Sequence, residues 1–577
     1  METSKLAHKR FSATNRLQGK SLLTAFNAVC CVSIFFFGYD QGMMSGVNNS
    51  EDYINTMKYG YVGEDGTPNN SEDYINTMKY GYVGEDGTPV VTNSAKQGGI
   101  VAVYYLGTLI GCLLGGVIGD SIGRVKTVVV GCAWSVFGAA LQCSAQNVPW
   151  MVCARLINGI GTGHLNAIVP VWAAEISDFS SRGAFIAQEF TLNIFGVVVA
   201  YWLEYGLSFI DGGRTQFRWR FPIAFQIIPL LILALVVNLM PESPRWLIKV
   251  GRRTDAEYIL TRLRVDPVAA RREADEIEAV VQLEKGGAVN GKQSIGDNSY
   301  IGMLLGRGRP GSHIARRVQL VVWLQIVQEW VGIAAVTVYA PRIFSGAGYT
   351  QNKSNLLAGV NNITYMLATL VAVFTLDKIG RRWTLYWGAV GQGISMFLAG
   401  GFTYMLATLV AVFTLDKIGR RWTLYWGAVG QGISMFLAGG FSRLTFDAAG
   451  TSKQAQYGGA AAFFVFLYTF VFGATWLTVP WLYPTEIFPL ECRARGNSWG
   501  VVGWSIGNGW LTLLTPVMFN AINEKTLYVF GACNILAIPF VWAFYPETNQ
   551  RTLEEMDLLF SADSIFAWEA EKARIAL

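Results

Sequence analysis

Three charged residues interrupt otherwise apolar sequence, and their types limit the chemistry they can do. Asp40 lies in "FFFGYDQG", Arg155 in "MVCARLING" and Glu329 in "IVQEWVG". Charges at membrane depth are costly and mark ion or substrate pathways by default. Helix counting from a cytosolic start puts Asp40 in the outer part of the first helix and Arg155 early in the fourth, at similar depth. A buried carboxyl near a guanidinium can hold a proton or an ion pair, according to whether the contact is broken or made. Asp40 and Arg155 are therefore candidates for proton coupling; the alternative is a fixed structural ion pair. Glu329 falls about 18 Å along a helix from Arg317, near the bilayer centre. It faces either a cavity or a neighbouring helix through a structural hydrogen bond.

A second set of charges repeats between the two halves of the chain. Glu175 and Arg182 in "AEISDFSSRG" have the spacing of Glu486 and Arg493 in "TEIFPLECRARG". "GDSIGR", with Asp120 and Arg124, is echoed by "LDKIGRR", with Asp377 and Arg381; "PESPRWL", with Glu242 and Arg245, is echoed by "PETNQR". All three pairs fall on the cytosolic side. Carboxylate–arginine pairs at helix ends can hold two rocking halves shut, each contributing a few kcal/mol at most. The alternative is a topology signal without a gating role.

The elements that position these residues are membrane helices. Of the 577 residues, 52% are apolar and 15% charged, against about 25% in a soluble protein. Uncharged runs such as Ile100–Gly119, Ile223–Met240 and Ala460–Tyr483 approach the ~20 residues that cross a hydrocarbon core. Lys5, Lys9, Arg10, Arg16 and Lys20 hold the N-terminus inside, and the acid-rich stretch after Asn48 reads outside. Six helices are expected near 22–47, 98–118, 126–145, 149–173, 184–207 and 220–240. The division is a cytosolic tail (1–21), a first six-helix bundle (22–240), a cytosolic linker (241–317), a second bundle (318–545) and a cytosolic tail (546–577). The outer loop (48–97) carries Asn48 and Asn69, each opening an Asn-Asn-Ser acceptor for N-glycosylation. Arg252–Leu283 has the composition of a pair of short surface helices.

Two segments recur without change. Asn48–Pro68 returns as Asn69–Pro89, which lengthens only the outer loop, where length costs little. Thr364–Phe402 returns as Thr403–Phe441 and copies a helix, its loop and the next helix. The copy preserves the parity of crossings but creates an uncharged run, Thr384–Leu415, of 32 residues. One helix of that length would reach ~48 Å, too long for a ~30 Å core. Perfect identity marks a very recent duplication or an assembly error, and the functional core is expected to be twelve helices carrying an insertion.

"GVIGDSIGR", "PVWAAEIS" with Arg182-Gly183, "PESPRWL", "LDKIGRR", "YPTEIFPLECRARG" and the final "PET" together resemble the signature set of the sugar porters of the major facilitator superfamily, in order from helix two to the tail. "FGYDQGMMSG" and "VTVYAPRIF" are similar to fungal members. The resemblance implies an all-α membrane protein of major facilitator fold, two six-helix bundles, here with an extra duplicated helix pair in the second. It implies proton symport, because Asp at the Asp40 position goes with symport and Asn with facilitated diffusion. It also places substrate contacts at Gln188, Glu189, Gln328, Glu329, Trp481, Trp504 and Asn508. The chain departs from the family there. The glutamine pair and asparagine of helix seven read Gln328, Glu329 and Ala334, and helix five carries Glu189 and Phe190 with Gln188 displaced by one. Sugars are held by amides, hydroxyls and aromatic faces, so these changes bear directly on the substrate. Trp481 and Trp504 are alternatively interfacial anchors.

The expected function is proton-coupled uptake of a sugar, polyol or sugar acid by a plasma-membrane protein acting as a monomer. The alternatives are a facilitative uniporter, which Asp40 opposes, and a nutrient sensor, which the short tail after Pro546 opposes. No acid–base–nucleophile cluster points to an enzyme, and nothing points to a cofactor or nucleic acid. His8, His164 and His313 are scattered and the eight cysteines lack metal-ligand spacing. His164 reads as a packing residue. Gly159, Gly161 and Gly163 are spaced for close helix contact rather than for a nucleotide.

Overall fold

The computed structural model describes residues 17–47, 53, 56, 81–83, 89–91, 94–177, 182–210, 216–286, 299–307, 313–376, 419–451, 453–489, 492–546, 559–560 and 566–569. The first hydrophobic runs become α1 (Gly19–Val47), α2 (Ser94–Ile122), α3 (Arg124–Cys143), α4 (Val148–Ile176) and α5 (Arg182–Leu207). Each lies within about a turn of its expected bounds. The sixth run is two helices, α6 (Phe217–Phe225) and α7 (Ile227–Val237), parted at Gln226. Pro229 has no N–H to offer the Phe225 carbonyl, so the ladder breaks there.

Close approach within the first bundle depends on missing side chains. A Cβ on Gly159 would stand 2.2 Å from the Tyr104 carbonyl oxygen, and one on Gly163 would stand 2.3 Å from that of Thr108. The glycines of α4 thus seat it against α2, in line with their spacing in the sequence.

The linker forms α8 (Pro244–Lys249), α9 (Arg253–Arg264), α10 (Pro267–Gly286) and α11 (Tyr300–Leu304). Ser243 caps α8 by accepting from the Trp246 N–H at 3.2 Å. Arg253 pairs with Glu257, Asp275 and Glu278, and Arg264 with Glu273, tying α9 to α10. Leu247, Ile259, Leu260 and Leu263 share an apolar cluster with Leu22, Phe26 and Trp172. Helices α8 to α10 thus pack under the first bundle, while α11 packs against the helix Ile314–Trp330.

The second half comprises α12 (Ile314–Trp330), α13 (Ile333–Val338), α14 (Ala340–Gly346), α15 (Gln351–Leu376), α16 (Gly419–Asp447), α17 (Lys453–Thr475), α18 (Thr478–Ile487), α19 (Arg493–Ile522) and α20 (Lys525–Phe544). Helix α15 ends in the first copy of the long repeat and α16 begins in the second. Residues 377–418, with Asp377, Arg381 and the extra helix pair, lie outside the described residues. Because the copies are identical, α15 followed by α16 reproduces a single copy in order, short only of the Asp416-Lys417-Ile418 that precede Gly419. Asn48 and Asn69 also lie outside the described residues. Strands β1 (Gly81–Val83) and β2 (Pro89–Val91) pair antiparallel in the stretch expected to be an outer loop.

Seven stretches of the described residues, one of them α6 and α7 together, are long and apolar enough to cross a membrane. Others, such as α12 to α14, are broken or carry polar residues, and they complete the bundles by packing. Between the halves α2 runs against α19, and α5 against α15. The Thr108 and Ser505 hydroxyls meet at 2.8 Å, and Asn497 donates to the Ala167 carbonyl at 3.3 Å. Tyr201 donates to the Asn355 carbonyl at 3.0 Å.

Candidate functional site

A cavity lies between the halves. Helix α1 contributes Phe37 and Gln41, and α5 contributes Phe190 and Asn193. Gln328 and Glu329 from α12, Tyr365 from α15, Trp481 from α18 and Trp504 from α19 face them.

Two prolines explain how the far wall is built. Pro480 has no N–H for the Trp476 carbonyl, and Pro484 has none for the Pro480 carbonyl, so both oxygens are orphaned where α17 gives way to α18. Gln328 Nε2 donates to Trp476 O at 2.8 Å and to Leu477 O at 3.3 Å, and Gln325 Nε2 donates to Pro480 O at 3.1 Å. The amides of α12 thus satisfy the broken helix. That fixes the Gln328 side chain with its donors turned away from the cavity and its Oε1 left without a partner. The α12–α13 break is buttressed similarly. Val331 O accepts from Tyr468 Oη at 3.0 Å and Asn534 Nδ2 at 2.9 Å, and Gly332 turns the chain at a φ of 112° that disfavours a side chain.

The aromatic rings are joined into one wall. Trp504 stands edge-on to Phe37 at 4.9 Å and Tyr105 at 5.2 Å, and lies 6.0 Å from Trp481, which meets Phe190 at 4.9 Å. Both tryptophans therefore lie in the cavity rather than at a lipid interface. Glu329 is 3% exposed, with Trp504 and Asn508 as hydrogen-bonding neighbours, while its Oε2 has no partner. Asn508 is buried behind this wall and donates to Trp504 O at 3.4 Å.

The helix-five residues divide. Gln188 accepts from Asn27 Nδ2 and is not among the cavity's lining residues. Glu189 is fully buried toward Cys30 and Cys31, and neither of its carboxylate oxygens is hydrogen-bonded. Phe190 and Asn193, further along the same helix, take the lining positions.

Asp40 and Arg155 meet inside the first bundle. The Oδ2 to Nη1 distance is 3.6 Å, and the side chains are 0% and 1% exposed. The guanidinium lies 4.6 Å above the Tyr104 ring, and Tyr104, Asn158 and Gln226 surround the carboxylate. Neither Asp40 oxygen makes a hydrogen bond within the usual distance. The pair is separate from the cavity, but Gln41, the next residue, lines it.

At one end of the first bundle its charges converge. Arg124 is bidentate to Glu175, with Nε to Oε2 at 2.9 Å and Nη2 to Oε1 at 2.8 Å. Its Nη1 donates to Gly119 O at 2.9 Å and reaches Asp120 at 3.4 Å. Glu242 accepts from the backbone N–H of Arg124, Val125 and Ser243, while burial pushes its carboxyl above the usual range. Arg245 lies near Glu175. Asp120 also meets Lys249 at 3.6 Å and, across the halves, Arg495 at 3.9 Å. The sequence motifs did not single out Arg495, although it stands in "RARG" beside the expected Arg493. Arg493 donates to Phe488 O at 3.4 Å. The side chains of Arg182 and Glu486 lie outside the described residues.

Gln41, Asn193 and Tyr365 are further lining residues that sequence reading did not select. Gln41 follows Asp40 and Asn193 breaks an apolar stretch, so both left a signal; Tyr365 left none. His164 is buried, with Nδ1 2.8 Å from Ile160 O, as a packing residue would be. Among the described residues no group of three or more His, Cys, Asp or Glu is placed to hold a metal ion.

Two helical bundles about a central cavity define a multi-pass membrane transporter of the major facilitator fold. The family described as "Sugar (and other) transporter" matches residues 26–406 and 400–560, and the chain belongs to it. The two matches overlap at the junction of the long repeat. The chain is 29% identical to the MFS-type transporter oryC of Aspergillus oryzae, over 94% of this chain and 86% of that one. It is 28% identical to the sugar transporter STL1 of Saccharomyces cerevisiae, over 94% and 82%. It is 29% identical to polyol transporter 5 of Arabidopsis thaliana, over 84% and 81%. The fold is shared with the proton:xylose symporter XylE bound to 6-bromo-6-deoxy-D-glucose, at TM-score 0.68 and 22% identity over 94% of this chain and all of that one. These relatives are transporters, and the chain is not an enzyme.

Proposed function

We propose that the chain is a plasma-membrane symporter that couples proton entry to uptake of a sugar or sugar-like polyol by alternating access. The observation that carries the reading is the Asp40–Arg155 contact, a fully buried carboxylate and guanidinium at 3.6 Å beside the cavity-lining Gln41. Buried charge pairs are stable only together. Protonation of Asp40 releases Arg155 and loosens α1 against α4; deprotonation restores the contact. Substrate binds between the halves on the aromatic wall, and the Arg124–Glu175–Asp120 cluster with Arg495 closes the cytosolic side. The names of XylE, STL1 and polyol transporter 5 support a sugar or polyol as cargo.

In proteoliposomes with an inward proton gradient, the intact chain is expected to concentrate substrate. Asp40→Asn is expected to abolish accumulation while retaining exchange of substrate across the membrane. Accumulation against a gradient by Asp40→Asn would remove Asp40 from the coupling role.

A further inference from the structure

Glu329 is the one carboxyl among the described residues that line the cavity, where the second half also presents the indole N–H groups of Trp481 and Trp504 and the Tyr365 hydroxyl. The donors of Gln328 are consumed by Trp476 O and Leu477 O, and the Thr337 hydroxyl donates to Ile333 O at 2.9 Å. On or next to that wall Gln328 Oε1, Glu329 Oε2 and Asn508 Oδ1 are three buried oxygens with no hydrogen-bond partner. One belongs to a carboxyl. Among the described residues no Lys, Arg or His lines the cavity, and the titratable groups facing Glu329 are the phenols of Tyr105, Tyr365 and Tyr468. Around the same wall stand the faces and edges of Trp481, Trp504, Phe37 and Phe190.

A neutral sugar suits this wall poorly. Its hydroxyls can donate to the oxygens and accept from the indole N–H groups, but none offsets a carboxylate. Unsatisfied buried acceptors and uncompensated buried charge are both costly. A protonated amine answers both needs at once: it carries several N–H donors, no acceptor and a positive charge. Aromatic faces attract the same group.

From this wall we infer that the transported substrate is an aminated polyhydroxy compound, an amino sugar or amino polyol, whose ammonium group pairs with Glu329. The inference rests on the cavity being the substrate site of the symporter proposed above. Ammonium binding leaves Glu329 as carboxylate, so any proton it carried in the empty cavity is released to water. Gln41 and Asn193, amides on the opposite wall, are left for the hydroxyl groups.

The test uses the full chain in liposomes and two matched pairs of probes: D-glucosamine against N-acetyl-D-glucosamine, and N-methyl-D-glucamine against sorbitol. Acetylation or removal of the amine keeps the hydroxyls and deletes the charge. Binding by calorimetry and counterflow transport are both measured. Each amine is expected to bind at least about tenfold tighter than its uncharged partner, the scale of a desolvated ion pair with aromatic contact. Glu329→Gln is expected to erase the gap and Glu329→Asp to keep most of it. If Glu329→Gln does not fold, the paired comparison in the intact chain still decides. Equal binding of charged and uncharged partners, or a gap that survives in folded Glu329→Gln, overturns the inference. If neutral probes move and amines do not, the inference fails while the porter reading stands. If none of the four binds or moves, both fail.

Discussion

Glu175→Gln and Asp120→Asn remove neighbouring carboxylates from the same cluster, yet the structure predicts very different costs. Glu175 makes two short hydrogen bonds to Arg124, with side chains 11% and 5% exposed. Removing one member of a buried pair costs about 3–5 kcal/mol, because the other charge is left behind. Here Asp120 at 3.4 Å and Gly119 O at 2.9 Å still hold one guanidinium nitrogen, which places Glu175→Gln near the lower bound, at about 3 kcal/mol. The Asp120 contacts are longer, at 3.4, 3.6 and 3.9 Å, and two of its cations, Lys249 and Arg495, are 43% and 28% exposed. Each such pair contributes about 0–1 kcal/mol. Heating the detergent-purified protein while following tryptophan fluorescence should show Glu175→Gln melting well below the parent and Asp120→Asn close to it. Replacing both Arg124 and Glu175 by methionine should recover much of the loss, since no charge is then stranded. Two single variants that melt together, or Asp120→Asn melting lower, would refute the assignment of the buried pair as the structural member of the cluster.

Gln328→Leu should destabilise the chain by about 2 kcal/mol, by stranding the Trp476 carbonyl. Pro480→Ala in that background should restore much of the loss, because the new N–H can reach the same oxygen; a double-mutant cycle with no coupling would sink the idea. Deleting Thr403–Phe441 leaves one copy of the repeated helix pair, and that shorter chain is expected to express and transport at least as well as the full one, measured by yield and uptake. Poorer folding of the deleted form would show that both copies are integral.

The membrane class, the helix order and the charge pairs of the first half were legible in the sequence because each rests on local composition or fixed spacing. Asp40 and Arg155 were matched by counting depth, which works for straight helices with known entry sides. The family resemblance, not depth, put Gln188 and Glu189 with the substrate contacts, and neither is among the cavity's lining residues. The cavity-facing side of α5 is set by how that helix rotates against α1 and α15, and no local pattern records that rotation. Phe190 and Asn193 face the cavity instead.

The sequence reads Ala460–Tyr483 as one uncharged run, although Pro480 lies within it and Pro484 follows it. Only packing shows that two glutamines on another helix supply the missing donors, and that doing so strips the cavity wall of them. Likewise Arg495 could be seen as a charge beside Arg493, while its partnership with Asp120 exists only once α2 and α19 lie together. Sequence determines which groups must avoid lipid and which must find partners, since solvation is a property of the residue itself. Which partner each group finds depends on distances between segments remote along the chain, and those are fixed only when the bundles pack.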